Sequence, residues 1–89
     1  MASVSVRFYA TFREVCGCQE SSAEAYDVSG LLDALEERYG EAFARLTRSR
    51  SPESFVVMVN GRNVGQLSGL ATRLADGDEV SMFPPVSGG

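Results

Sequence analysis

The residues best suited to chemistry stand in the last segment of the sequence, Met82-Phe83-Pro84-Pro85-Val86-Ser87-Gly88-Gly89. Pro84 and Pro85 lack N–H donors and fix φ near about −65°, so this segment cannot form a helix. Gly88 and Gly89 leave its tip with little bulk. At about 3.3–3.6 Å per residue, residues 84–89 can reach about 20 Å. The segment therefore predicts a slim peptide whose terminal carboxylate could enter another protein's active site.

The remaining reactive side chains are few. The sequence has no His, and all 8 of its basic residues are Arg. It therefore has no imidazole for acid–base catalysis near neutral pH and no lysine through which copies could be linked. Cys16-Gly17-Cys18 could supply half of a metal site, but no second pair and no His completes four ligands. We expect two reduced thiols at a turn and no metal, with a nucleophilic thiol as the alternative.

Motifs of known enzyme classes are absent from the sequence. It has no Walker loop, no G-x-S-x-G, no H-E-x-x-H and no dinucleotide fingerprint. Two acidic pairs, Glu36-Glu37 and Asp76/Asp78, could act as paired carboxylates. Their places on an exposed helix face and in a turn instead favour solvation and turn formation. An enzyme that works alone is not expected.

Composition bounds the class of protein and its partners. With 89 residues, 44% of them hydrophobic and 22% charged, the chain predicts one globular domain. No apolar run reaches the roughly 20 residues needed to span a membrane, and the first residues lack a signal-peptide pattern. We therefore expect a cytoplasmic protein that binds no membrane. A net charge of −4 argues against nucleic-acid binding and suits a partner with a basic surface.

Hydrophobic periodicity predicts the elements that must hold this segment in place. Val28, Leu31, Leu32, Leu35 and Tyr39 form one apolar stripe, so a helix is expected over 28–39, capped by Asp27 or Ser29 and ended by Gly40 in the left-handed conformation. The other predicted elements are strands over 4–9, 21–26 (at a sheet edge), 55–59, 62–64 and 79–82, short helical turns over 10–15, 41–46 and 66–74, and a polar loop over 47–53.

This order of elements limits the fold. A long helix between two non-adjacent strands should cross one face of a mixed sheet, which gives a two-layer α+β domain. The β-grasp, or ubiquitin-like, roll is the natural arrangement for this length. We expect the domain to cover 1–83, with Phe83 pointing away from the core, and a flexible segment over 84–89. The strand over 55–59 is apolar on both faces, so loops or a partner must cover its outer face.

The sequence resembles a known family along its whole length. Its final part, L-x-D-G-D-E-V followed by F-P-P-V-S-G-G over 74–89, looks like the MoaD/ThiS-type sulfur carriers, above all the small subunit of molybdopterin synthase. The first strand with Phe12-Arg13-Glu14-Val15, the helix over 28–39 and Val59-Asn60-Gly61 also resemble that family. Cys16-Gly17-Cys18 is not part of the family pattern.

The resemblance implies a mechanism centred on Gly89. A ubiquitin-activating-like adenylyltransferase would adenylate the Gly89 carboxylate with ATP and Mg²⁺, which this chain would not itself bind. A sulfur donor would then displace AMP and leave a thiocarboxylate. The large synthase subunit would take up the segment, with Ser87 and Gly88 threading its channel, and would supply the catalytic residues.

The resemblance also implies how the carrier is held and which alternatives compete. Phe83, Pro84, Pro85 and Val86 would anchor the segment on the partner. The same ending occurs in carriers for thiamine, cysteine or thiolated tRNA and in ubiquitin-like protein modifiers. A plain interaction module with an inert end is a further alternative.

Overall fold

Five strands form one mixed sheet in the order β2-β1-β5-β3-β4. The computed structural model describes residues 1–51 and 53–85. β1 and β5 are parallel neighbours at the centre of the sheet, and the other pairs are antiparallel. The strands are β1 (Ala2–Phe8), β2 (Glu20–Ala25), β3 (Val56–Val59), β4 (Arg62–Asn63) and β5 (Glu79–Phe83).

The helices lie on one face of the sheet. They are α1 (Thr11–Cys16), α2 (Val28–Tyr39) and α3 (Glu41–Thr47), with 3₁₀ turns at Val64–Gln66 and Gly69–Ala71. The inward residues of the sheet and of these helices share one hydrophobic core, in which Phe8, Leu31, Leu35, Phe43 and Met82 are almost completely buried. Among the described residues, no helix is both long and apolar enough to cross a membrane.

This topology is the predicted β-grasp roll. Every predicted strand is present with bounds that differ by at most two residues, β2 lies at the sheet edge, and α2 has the predicted bounds. Asp27 caps α2 by accepting a hydrogen bond of 2.8 Å from the Gly30 N–H. The division into a domain over 1–83 and a flexible segment over 84–89 stays a prediction.

Three local predictions differ from the structure. Gly40 has φ 82° and ψ −160°, so it ends α2 with a positive φ but outside the left-handed helical region. The segment 66–74 forms a 3₁₀ turn only over Gly69–Ala71, because Leu67, with φ −111° and ψ −127°, separates it from the turn at Val64–Gln66. The loop predicted over 47–53 starts one residue later, since Thr47 completes α3 and is fully buried.

The junction between the β3–β4 turn and β5 fixes the register of the last strand. Asn60 donates a side-chain hydrogen bond to Asp78 at 2.9 Å and accepts one from the Glu79 N–H at 3.0 Å. Its own N–H donates to the Glu79 carbonyl at 2.8 Å. Asn60 has a φ of 52°, a conformation that Asn tolerates better than most residues. One side chain thus ties a turn to the beginning of β5.

We expect Asn60→Ala to lower the free energy of unfolding by about 2 kcal/mol, because it removes two hydrogen bonds and strains a positive-φ position. Urea unfolding followed by circular dichroism measures the change. Asn60→Gly is the matched variant, since glycine removes the same hydrogen bonds without the strain. If Asn60→Gly lowered the free energy of unfolding as much as Asn60→Ala does, backbone strain would contribute nothing to the effect of the alanine substitution.

Candidate functional site at the end of β5

The end of β5 presents its last side chain to solvent on the face opposite the helices. Val80 and Met82 point into the core with 1% and 0% of their surfaces exposed, whereas Phe83 is only half-buried. The Tyr9 N–H donates a hydrogen bond of 3.1 Å to the Met82 carbonyl, just beyond the end of β1. Phe83 therefore points away from the core, as predicted, and its backbone is held between two strands.

Phe83 stacks on Tyr9. Their ring centroids are 4.4 Å apart and the ring planes are inclined by only 10°. The stack restricts the rotamer of each ring and gives the outer face a rigid aromatic surface where the chain leaves the sheet. Sequence analysis did not assign Tyr9 to the site. The alternation of β1 placed it on the outer face, but only the parallel pairing of β1 with β5 places it next to Phe83.

Two side chains of β3 extend this surface. Val56 lies directly opposite Phe83, and Met58 lies opposite Ser81, so both point to the outer face. They are half-buried, while their neighbours Val57 and Val59 enter the core. We call Tyr9, Val56, Met58 and Phe83 the apolar patch.

The apolar patch continues into a polar surface. On β1 and β5 the outward residues next to it are Ser5, Arg7, Glu79 and Ser81, and they line a shallow polar depression together with Glu20. Arg7 and Glu20 form an exposed ion pair at 3.0 Å. An apolar area bordered by polar groups is typical of a protein interaction surface.

The predicted site residues fall partly within the described chain. Phe83 belongs to β5, Pro84 follows it and is half-buried, and Pro85 is exposed. Val86, Ser87, Gly88 and Gly89 lie outside the described residues, so their roles stay predictions. The structure thus places the base of the predicted anchor beside Tyr9 and the two outward side chains of β3.

A second concavity lies beside β3 and is lined in part by Val56 of the apolar patch. It has a volume of about 270 Å³ and is lined mainly by apolar side chains, including Phe55, Val64 and Leu70. Arg50 reaches its rim, but its guanidinium pairs with Asp33 at 2.7 Å and Glu36 at 3.2 Å. These carboxylates already balance its charge, so the concavity does not offer a free cation. Within residues 1–51 and 53–85, no three His, Cys, Asp or Glu side chains are grouped to hold a metal ion.

Comparison with protein families identifies the chain by sequence. The model of the ThiS family matches residues 6–89. Small archaeal modifier protein 3 of Haloferax volcanii is 43% identical, in an alignment that covers 97% of this chain and 98% of the relative. The sulfur carrier protein CysO of Mycobacterium tuberculosis is 36% identical over 98% of this chain and 99% of its own length.

Solved structures give the same result for the fold. Small archaeal modifier protein 1 of Methanosarcina acetivorans superimposes with a TM-score of 0.81 at 32% identity and covers 100% of this chain and 98% of its own.

Two further matches come from complexes with partner proteins. A chain of the BexX/CysO complex of Amycolatopsis orientalis has a TM-score of 0.81 at 28% identity, with coverage of 97% and 99%. A chain in the complex of subunits 1 and 2 of the molybdopterin-converting factor of Helicobacter pylori has a TM-score of 0.62 at 26% identity, with coverage of 98% and 99%. The chain belongs to the ThiS family of ubiquitin-like sulfur carriers.

Proposed function

We propose that this chain carries sulfur as a thiocarboxylate on Gly89 and delivers it inside the active site of a larger partner protein. One observation carries the proposal. The segment that ends in Gly88-Gly89 follows directly from β5, whose last residue lies within an apolar patch on the outer face of the sheet. A partner that covers the patch would thereby receive the segment at a fixed position.

The chemistry begins with activation of the terminal carboxylate. The Gly89 carboxylate attacks the α-phosphorus of ATP, pyrophosphate leaves, and an acyl adenylate forms on the adenylyltransferase. A persulfide donor then attacks the acyl carbon through its outer sulfur, and AMP leaves. A thiol next attacks the donor's inner sulfur, which forms a disulfide with the donor and releases the thiocarboxylate on Gly89. ATP, Mg²⁺ and the groups that position them belong to the adenylyltransferase.

The glycines suit transfer within a narrow channel. A chain without side chains at its tip can pass between walls that would exclude a bulkier residue, and it can adopt backbone angles that other residues avoid. Ser87 and Gly88 then span the channel, while Phe83, Pro84, Pro85 and Val86 hold the segment at its entrance. Gly89 reacts, and the partner supplies the acids, bases and substrate-binding groups.

We assign the carrier to molybdopterin synthesis as its small synthase subunit. The F-P-P-V-S-G-G ending and the likeness to a chain of the molybdopterin-converting factor complex support this assignment. The 36% identity to CysO supports a related carrier that serves another sulfur pathway, such as cysteine synthesis. Purified thiocarboxylated chain, offered separately to a large synthase subunit with its pterin precursor and to a cysteine synthase, distinguishes the two by which product forms.

A second candidate function is protein modification. It is favoured by the 43% identity to small archaeal modifier protein 3, and it uses the same activated Gly89 with lysine amines of other proteins as acceptors. Immunoblots of cells that express a tagged chain would then show a ladder of conjugates. The ladder should vanish when Gly89 is deleted.

The sulfur-carrier proposal has a direct test by mass spectrometry. Protein expressed with its activating enzyme and a sulfur donor should gain the mass that corresponds to replacing one oxygen by sulfur. Fragmentation should place the change on Gly89. An unchanged mass under conditions in which the activating enzyme consumes ATP with this chain would contradict the proposal.

Phe83→Ala should weaken the complex with the large synthase subunit by about 1–3 kcal/mol, or roughly 5- to 150-fold in Kd. The substitution removes the ring that is proposed to contact the subunit, and it also removes the stacking of that ring on Tyr9. Isothermal titration calorimetry measures the change. Tyr26→Ala, which removes an exposed aromatic ring at the other end of the sheet, is the control and should leave Kd unchanged. An unchanged Kd for Phe83→Ala would remove this residue from the anchor.

A further inference from the structure

The turn between α1 and β2 carries two cysteines that the proposed function does not use. Cys16 is the last residue of α1, and Gly17 follows it in the left-handed conformation, with φ 73° and ψ 15°. The Gly17 N–H donates a hydrogen bond of 2.9 Å to the Arg13 carbonyl, which fixes this conformation. Cys18 follows at once, before the chain enters β2.

The conformation of Gly17 sets the distance between the cysteine backbones. Residues two apart in an α-helix have α-carbons about 5.4 Å apart, and the mirror-image left-handed conformation gives the same separation. A disulfide requires roughly 4.4–6.8 Å between these atoms. The turn at Gly17 therefore places the two α-carbons within the range of a disulfide, and the thiols are close enough for Cys18 to raise the pKa of Cys16.

The two thiols have different surroundings. Both are half-buried against the core, and the Cys18 Sγ lies 3.6 Å from the Tyr39 hydroxyl. Burial, with a smaller contribution from the nearby Cys18, raises the pKa of the Cys16 thiol to about 12. Cys16 is therefore protonated at neutral pH. The contact with the Tyr39 hydroxyl gives the Cys18 sulfur a polar partner next to it.

We propose that Cys16 and Cys18 form a reversible intramolecular disulfide by exchange with a small-molecule disulfide, with Cys18 as the first nucleophile. This site is separate from Gly89, so the inference does not depend on the proposed function.

The exchange proceeds in two balanced steps. The Cys18 thiolate attacks one sulfur of the small disulfide, an S–S bond forms, and one small thiolate leaves. The Cys16 thiol then loses its proton to solvent and attacks the Cys18 sulfur, which releases the second small thiolate. The two cysteines are oxidised by two electrons, and the small disulfide is reduced to two thiols.

Formation of the mixed disulfide at Cys18 makes the Cys16 thiol easier to ionise for its attack. Once Cys18 is in a mixed disulfide it carries no negative charge, so its electrostatic contribution to the raised pKa of Cys16 disappears.

The new bond lies next to α1, which contacts both β1 and β5. Oxidation thus modifies the protein close to the sheet end at which Phe83 is held.

Redox titration of the full chain tests the proposal. The protein is equilibrated in mixtures of reduced glutathione and glutathione disulfide, quenched with acid, treated with N-ethylmaleimide and analysed by intact mass. We expect a monomer that has lost two hydrogens and takes up no maleimide, with an equilibrium constant at least tenfold larger than in urea. Equal constants for folded and unfolded protein, or oxidation only to disulfide-linked dimers, would overturn the proposal.

Two single variants test the order of attack. With glutathione disulfide at neutral pH, Cys16→Ser should form a mixed disulfide at Cys18, and Cys18→Ser should react at least tenfold more slowly at Cys16. The Cys18→Ser rate should continue to rise with pH well into the alkaline range, because its thiol ionises late. Equal rates for the two variants would overturn the assignment of Cys18 as the first nucleophile.

Discussion

Deleting Gly89 should abolish sulfur transfer while leaving the free energy of unfolding within about 0.5 kcal/mol of the full chain. The buried hydrophobic residues that form the core run from Ala2 to Met82, so removing a residue seven positions later takes no side chain from that core. Sulfur transfer, in contrast, depends on the position of the terminal carboxyl group. The new terminus would stop about 3.3–3.6 Å short of the old one.

A displacement of that size is large for a reacting group. A misplacement of about 1 Å can cost about 100-fold in rate when the geometry of attack is fixed by the active site. Because the base of the segment is held in the sheet by β1 and β3, the shorter chain cannot recover the distance by sliding. Ser87→Ala is the matched control, since it changes the same segment at constant length and should retain activity.

Two assays on each variant distinguish a loss of activity from a loss of stability. Urea unfolding gives the stability, and synthase turnover with the purified large subunit gives the activity. A loss of activity accompanied by an equal loss of stability would contradict the separation between the folded domain and the working end. Full activity without Gly89 would exclude this residue as the sulfur-bearing group.

The fold was predictable because its periodic signals are local. The stripe of Val28, Leu31, Leu32 and Leu35 defines α2, and all four residues are buried in the structure. The alternation in β1 assigns Val4, Val6 and Phe8 to the core, where the structure places them. Such patterns depend only on the side chains of one element, so the sequence contains all the information that they need.

The details that sequence analysis missed depend on pairing between distant segments. Tyr9 joins the site because β1 lies parallel to β5, and Thr47 completes a helix because its buried hydroxyl donates a hydrogen bond to the Glu36 carboxylate of α2. Arg50 was expected in a solvated loop, yet it pairs with two carboxylates of α2 and keeps only 26% of its side chain exposed. No local pattern specifies these neighbours, because each is created by the fold as a whole.

The apolar patch is the surface that we expect the large synthase subunit to cover. Met58→Glu should weaken the complex with the large synthase subunit by more than about 2.7 kcal/mol, or about 100-fold in Kd, because the partner would bury a carboxylate without a matching charge. Arg62 on the neighbouring strand β4 lies opposite the core residue Val59, so it starts on the other face. Arg7, on the same face as Met58, lies two strands away and already pairs with Glu20. The new charge would therefore have no ready counter-ion.

Ser22→Glu is the control for charge alone. It adds the same charge to the exposed edge strand β2 on the same face of the sheet, away from Phe83 and Val56. Both variants should unfold within about 1 kcal/mol of the unmodified chain, since neither position belongs to the buried core. Calorimetric titration should then give a large loss of affinity for Met58→Glu and little change for Ser22→Glu. Equal effects of the two substitutions would mean that net charge, and not the apolar patch, governs the complex.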